Sequence, residues 1–213
     1  MNNSQLNSGF SLVEILVVLG LFSSIATLSL GALLNAQTVN TRLQETQSIL
    51  DNVNLSSQTI VREIRFGSEF YCGKILPSLL SDIPTTRNNC SYGSTGGTVL
   101  IFKPTDALND LDRVAYYATS GILYKSQYVN NGINSTSTVL QMTSDDVNVK
   151  SLMFYVDGAQ SSDGSNDENG AIDYKQPLIT LLLSGATRPS GKSASPAFFD
   201  LQTAVSSREI DNK

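Results

Sequence analysis

The sequence predicts an α+β protein, in which one long N-terminal helix packs on a C-terminal antiparallel β-sheet domain. An apolar run over residues 10–34 continues into a stretch with helical spacing up to Phe66, and no proline interrupts it. After Gly67 the chain changes to short β-rich segments with turns between them and no helical pattern. We therefore expect a short polar segment over residues 1–9, a helix over 10–66 and a globular β-rich domain over 67–213.

The predicted helix has two different halves. Residues 10–34 are apolar on all sides and long enough to span a bilayer, whose hydrocarbon core is about 30 Å thick. The second half has a single apolar stripe, formed by Val39, Leu43, Leu50, Val53, Ile60 and Ile64. We expect this amphipathic half to cover the apolar face of the sheet and to end near Gly67, a residue suited to a helix C-cap.

Six segments are predicted to be strands because they are rich in β-branched and aromatic residues. They cover residues 98–103, 113–119, 122–128, 147–156, 176–183 and 197–205. Ser120-Gly121 indicates a hairpin turn between two of them. Residues 67–97 and 129–138 are predicted to be loops.

The composition excludes several classes of function. There are 19 acidic and 14 basic residues, a net charge of −5 and no histidine. The absence of histidine rules out Ser-His-Asp and Cys-His catalysis and most zinc sites. An acidic chain without basic clusters is a poor general binder of nucleic acid. Because no catalytic constellation is recognisable, we do not expect an enzyme; a carboxylate-dependent hydrolase has only one acidic loop in its favour.

Glu14 is the one charged residue of the apolar run. A carboxylate inside a membrane segment costs about 2.5–3.5 kcal/mol on insertion scales, so its position needs an explanation. One explanation is a signal anchor that carries the glutamate by accident. The other is a role for the carboxylate outside the monomer.

The N-terminal block resembles the type III signal of type IV pilins and type II secretion pseudopilins. The matching positions are Gly9, Phe10, Leu12, Val13 and Glu14, followed by the apolar span. The resemblance implies that residues 1–9 are a leader, which a prepilin peptidase removes between Gly9 and Phe10 before it methylates the new N-terminus of Phe10. In one respect the block departs from the family, because the leader carries no Lys or Arg.

The same resemblance implies a non-enzymatic minor pilin or pseudopilin in a type IV pilus, type II secretion or DNA-uptake filament. Its partners would be other subunits, the prepilin peptidase, an inner-membrane assembly platform and membrane lipid. The N-terminus would be cytoplasmic and the C-terminal domain exported. Glu14 would pair with the freed amine of Phe10 on a neighbouring subunit. The alternative is a membrane-anchored, adhesin-like binding module that does not polymerise.

A second, looser resemblance lies at the C-terminus. Residues 198–208, with Leu201-Gln202-Thr203 and Arg208, are similar to the last strand of J-type pseudopilins and W-type minor pilins. The plain alternative is an ordinary strand with Phe198 and Leu201 in the core.

Two cysteines, Cys72 and Cys90, lie 18 residues apart in loop-like sequence. We expect a disulfide in an oxidising compartment, which would contribute roughly 3 kcal/mol. The alternative is two unrelated free thiols.

An acidic, glycine-containing stretch includes four possible oxygen ligands for Ca²⁺: Asp163, Asp167, Asn169 and Asp173. Ser165 and Gln176 stand where an EF-hand loop would have its first Asp and its bidentate Glu. Calcium also stabilises loops in some pseudopilins. The alternative, a solvated acidic turn between two strands, is the more common case.

Overall fold

The computed structural model describes residues 9–75, 87–90, 95–130, 135–159, 176–188 and 196–208. The elements in chain order are α1 (Leu12–Phe66), β1 (Ser68–Gly73), β2 (Val99–Lys103), β3 (Arg113–Thr119), β4 (Ile122–Asn130), β5 (Ser135–Gln141), β6 (Val147–Asp157), β7 (Leu178–Thr187) and β8 (Phe198–Ser206). The chain divides into two compact units, Met1–Gln47 and Ser48–Lys213, and α1 contributes to both. The predicted α+β class is confirmed at this level.

In the first unit, α1 is stabilised by its own hydrogen bonds. None of the described residues 9–47 is buried. Hydroxyl groups within the apolar run donate to carbonyls one turn earlier: Ser24 to Gly20 at 2.9 Å, and Thr27 to Ser23 at 2.7 Å. Such bonds satisfy polar side chains inside the helix, which an apolar solvent requires.

In the second unit, the strands form two antiparallel sheets. One sheet has the order β1-β2-β3-β4-β5 and the other the order β6-β7-β8. Strands adjacent in sequence are therefore neighbours in each sheet. The predicted hairpin between β3 and β4 is confirmed: Thr119 pairs with Ile122, and Ser120 and Gly121 have φ values of 52° and 78°. Positive φ at both central positions matches the type I′ turn that hairpins favour.

The core of this unit combines both sheets with the end of α1. Its fully buried large side chains include Ile60 and Ile64 from α1, Phe102 from β2 and Phe154 from β6. Phe102 lies between two other rings, with centroids 5.5 Å from Phe70 and 6.1 Å from Tyr116. These three rings belong to the first sheet, and the core cluster that contains them also includes Ile60 and Ile64 from the last turns of α1.

The stripe predicted on α1 is only partly right. Val53, Ile60 and Ile64 are buried, whereas Val39, Leu43 and Leu50 are exposed. Ile49 takes the buried position instead of Leu50. Ile49, Val53, Ile60 and Ile64 follow one another at steps of four, seven and four residues, which place them on one helix face.

Gly67 has a different role from the predicted one. It ends α1 without a positive φ, so it is not a left-handed cap. A Cβ at this position would approach the Phe102 ring to 2.5 Å. Glycine is required here because Phe102 packs directly against the backbone.

Two predicted loops contain strands. β1 lies inside residues 67–97, and it directs Phe70 and Cys72 into the core. β5 begins inside the predicted loop 129–138 and continues to Gln141. Its side chains over residues 136–141 are exposed. The sequence of β5 lacks an apolar alternation because neither face of this strand is buried.

Candidate functional site: the N-terminal processing and assembly block

The helix begins just after the predicted cleavage position. Gly9, Phe10 and Ser11 precede α1, and the carbonyl of Ser11 accepts the first helical bonds, from the N–H of Glu14 at 3.0 Å and of Ile15 at 3.2 Å. Phe10 is 79% exposed. The Gly9–Phe10 peptide bond is therefore non-helical and accessible, as a protease substrate has to be.

Gly9 is not required by the fold. A Cβ built on Gly9 meets no atom within 4 Å, and φ is not positive. The same holds for Gly20 inside α1. A requirement for glycine at position 9 would therefore come from something outside the chain.

Glu14 lies in the first turn of α1. There the partial positive charge of the helix N-terminus favours a carboxylate. Glu14 forms no ion pair with any residue that the structure describes. Its side chain is exposed and available to a group from another molecule.

A largely apolar surface extends over residues 12–34. Fourteen large apolar side chains between residues 12 and 34 are each more than half exposed: Leu12, Val13, Ile15, Leu16, Val17, Val18, Leu19, Leu21, Phe22, Ile25, Leu28, Leu30, Leu33 and Leu34. Soluble monomers rarely expose such a surface. α1 is long and apolar enough to cross a membrane, which is consistent with single-pass anchoring near the N-terminus.

The two cysteines are joined. Cys72 and Cys90 form a disulfide with Cα atoms 5.8 Å apart. Cys72 belongs to β1 of the first sheet, while Cys90 forms a bridge with Val156 in β6 of the second. The bond thus links the two sheets beside the core.

The four candidate calcium ligands, Asp163, Asp167, Asn169 and Asp173, lie outside the described residues. Within the described ranges, no cluster of three or more His, Cys, Asp or Glu side chains could hold a metal ion.

The C-terminal block forms β8. Phe198, expected in the core if the block is an ordinary strand, is 68% exposed and lies beneath the Lys150 ammonium at 4.5 Å. Phe199 is the buried aromatic residue, because side chains alternate between the faces of a strand. Leu201 is half-buried and packs against the core.

A carboxylate that sequence reasoning missed attaches α1 to the first sheet. Glu63 accepts a hydrogen bond from the Tyr116 hydroxyl at 2.6 Å and forms an ion pair with Lys125 at 2.6 Å. Burial, together with the hydrogen bond to Glu63, raises the pKa of Tyr116. The available signal was the position of Glu63 beside Ile64, at the border of the buried stripe.

Asp112 is another carboxylate that sequence reasoning missed, and it is buried. It accepts backbone N–H groups of Leu108 at 2.8 Å, Asn109 at 3.1 Å and Asn130 at 2.8 Å. Burial alone would raise the pKa of Asp112, but these bonds, with the charge of Arg113, lower it. Its role is to hold the turn before β3 against the end of β4.

Comparison with models of known protein families gives no match. Comparison with curated proteins gives no match either.

Proposed function

We propose that this chain is a minor pilin or pseudopilin, a structural subunit of a type IV pilus, type II secretion or DNA-uptake filament. In this proposal a prepilin peptidase removes residues 1–9 and methylates Phe10. The observation that carries it is the block from Gly9 to Glu14. This block resembles the type III signal and lies at the N-terminal end of an exposed apolar helix. The accessible Gly9–Phe10 bond also favours processing.

Assembly explains why Glu14 has no ion-pair partner among the described residues. Cleavage creates a cationic amine on Phe10, at the start of the helix. Neither this amine nor the Glu14 carboxylate is stable alone in lipid, whereas a pair between two subunits neutralises both and fixes their axial register. Packing of the apolar surfaces over residues 12–34 would supply the remaining contact, with the β-rich domains outside.

The proposed topology has a cytoplasmic N-terminus and an exported β-rich domain. The Cys72–Cys90 disulfide supports it, because such bonds persist in oxidising compartments. Basic residues in the leader would have supported it too, but the first 41 residues contain none.

The experiment is co-expression with a prepilin peptidase, followed by intact-mass analysis. The wild-type chain should lose residues 1–9 and gain one methyl group. Gly9→Leu should block cleavage, while the matched Gly20→Leu should leave it unchanged, since neither glycine has a neighbour that a side chain would displace. A wild-type chain that still begins at Met1 would contradict the proposal.

That negative result would favour the second candidate, a membrane-anchored binding module. The exposed apolar helix fits such an anchor equally well. Only processing and polymerisation separate the two functions.

A further inference from the structure

Three arginines surround one cavity where α1 ends. The cavity has a volume of about 360 Å³, and its lining consists of Ser57, Gln58, Val61, Arg62, Arg65, Phe66, Thr203 and Arg208. We call it the arginine cavity. It lies wholly within the second compact unit, between the last turns of α1 and the end of β8.

The backbone brings these like charges together. The N–H of Arg208 donates to the carbonyl of Arg65 at 2.8 Å, and the buried Ser207 hydroxyl donates to the Gly67 carbonyl at 2.8 Å. The Arg208 guanidinium then lies 5.7 Å from the centroid of the Phe66 ring. The two residues that directly follow β8 are therefore held against the end of the helix, and the Arg208 side chain lines the cavity.

The charged residues in the lining of the cavity are all basic. None of its lining residues is Asp or Glu. The acid nearest in sequence, Glu63, is engaged by Lys125 and Tyr116. Three solvent-exposed arginines thus line the cavity with no acidic residue in its lining, although the chain as a whole has an excess of acids. Arg62 also borders a neighbouring pocket whose lining includes Glu63 and Asp106.

We infer that the arginine cavity is a docking site for an acidic peptide segment of a protein partner. Guanidinium groups bind carboxylates through two parallel hydrogen bonds, and three of them favour a segment with several carboxylates. The volume is that of an ordinary ligand pocket. Val61 and Phe66 add apolar contact for the stems of Glu or Asp side chains. This inference goes beyond the proposed function and does not depend on leader processing.

The test uses the full chain in non-ionic detergent and a fluorescent hexaglutamate peptide, with binding followed by anisotropy. Hexaglutamine is the uncharged control peptide. We expect hexaglutamate alone to bind, more weakly as the salt concentration rises. The combined variant Arg62→Gln, Arg65→Gln and Arg208→Gln should weaken binding at least about tenfold. The matched Lys74→Gln, which removes an exposed cation elsewhere, should not change it.

The thermal midpoint of each variant is measured to check that the variant is folded. If the triple variant does not fold, Arg62→Gln alone tests the site, because the bonds that hold β8 to α1 come from Ser207 and Arg208. Absence of hexaglutamate binding, or binding that the arginine substitutions leave unchanged, would overturn the inference.

Other occupants give other results. Binding to phosphatidylglycerol vesicles without binding to hexaglutamate would show a lipid site and overturn the inference. Hexaglutamate binding that appears only after Glu209→Gln and Asp211→Asn would show that the chain's own C-terminus fills the cavity. Concentration-dependent self-association that the triple variant abolishes would identify the acidic partner as a second copy.

Discussion

The two segments of α1, Leu12–Gln47 and Ser48–Phe66, belong to one helix but differ in the burial of their side chains. The second segment buries Ile49, Val53, Ile60 and Ile64 in the core of its own chain. None of the described residues of the first segment is buried, and its large apolar side chains up to Leu34 are exposed. Such a surface is typical of a segment that contacts a membrane or another protein. The first segment is therefore built for contacts outside the chain.

Two glutamates repeat this contrast. Glu63 is matched within the chain by Tyr116 and Lys125. Glu14 makes no ion pair with any described residue, although it stands in an apolar surface where an unmatched carboxylate is costly. On the proposed function, Glu63 serves folding and Glu14 serves assembly.

The largest effect is expected at Glu14. On the proposed function, Glu14→Gln removes one member of a buried pair, which is typically worth about 3–5 kcal/mol. Incorporation into filaments should fall at least about a hundredfold, while membrane insertion stays the same. The measurement compares the chain in sheared filaments with the chain in membranes, and Thr27→Ala is the control. Normal incorporation of Glu14→Gln would show that Glu14 is not needed for assembly and would contradict the proposed difference between the two glutamates.

The next effect distinguishes the buried face of the second segment from its exposed face. Ile60→Ala removes a fully buried side chain and should lower the free energy of unfolding by about 2–5 kcal/mol. Leu55→Ala, at a position that is 66% exposed, should change it by no more than about 0.5 kcal/mol. Urea denaturation of the full chain in detergent measures both. Equal losses would show that the second segment does not depend on its own core.

Removal of the disulfide tests how much the covalent link contributes to the stability of the core in which the second segment is buried. Cys72→Ala with Cys90→Ala should lower the free energy of unfolding by about 3 kcal/mol under oxidising conditions. The wild type treated with a reductant is the control, and most of the difference should vanish there. A difference that persists in the reductant would assign the loss to packing of the buried Cys72 side chain.

The smallest effect concerns the contact between Tyr116 and Glu63. Tyr116→Phe should lower the free energy of unfolding by about 1 kcal/mol. This loss is smaller than that expected for a fully buried hydrogen bond to a charged group, because about a quarter of the Glu63 side chain is exposed.

Tyr116 also predicts a dependence on pH. Its pKa is raised in the folded state by burial and by Glu63, so the folded chain retains a proton that the unfolded chain releases above about pH 10. The contribution is complete below that pH and declines above it. Unfolding titrations of wild type and Tyr116→Phe between neutral pH and pH 11 measure this, and equal slopes would contradict it.

Sequence reasoning predicted the elements whose signals are local. The end of α1 at Phe66, the strands that pair around Ser120-Gly121 and the long strand β6 follow from helical spacing, turn residues and β-rich composition. β5 lacks an apolar face and was missed for that reason. The register of the stripe was misjudged at Leu50, since Ile49 and Leu50 are both apolar and only packing selects between them.

The interactions that were missed join residues far apart in sequence. Glu63 meets Tyr116 and Lys125 only through the packing of α1 on the first sheet. Arg65 and Arg208 become neighbours because the end of β8 is bonded to the end of α1. Neither pairing has a periodic or spacing signal, so no reading of a single sequence could have found it. The block from Gly9 to Glu14, by contrast, is contiguous and was visible at once.

On the proposed function, the first segment of α1 packs against other subunits. A photocrosslinking residue in place of Leu19 tests it most directly, in cells that make the filament apparatus, with Leu55 as the position for comparison in the second segment. We expect protein adducts from position 19 that contain other subunits and that disappear in Glu14→Gln or without the prepilin peptidase. Adducts to lipid alone, with the chain remaining monomeric, would contradict it.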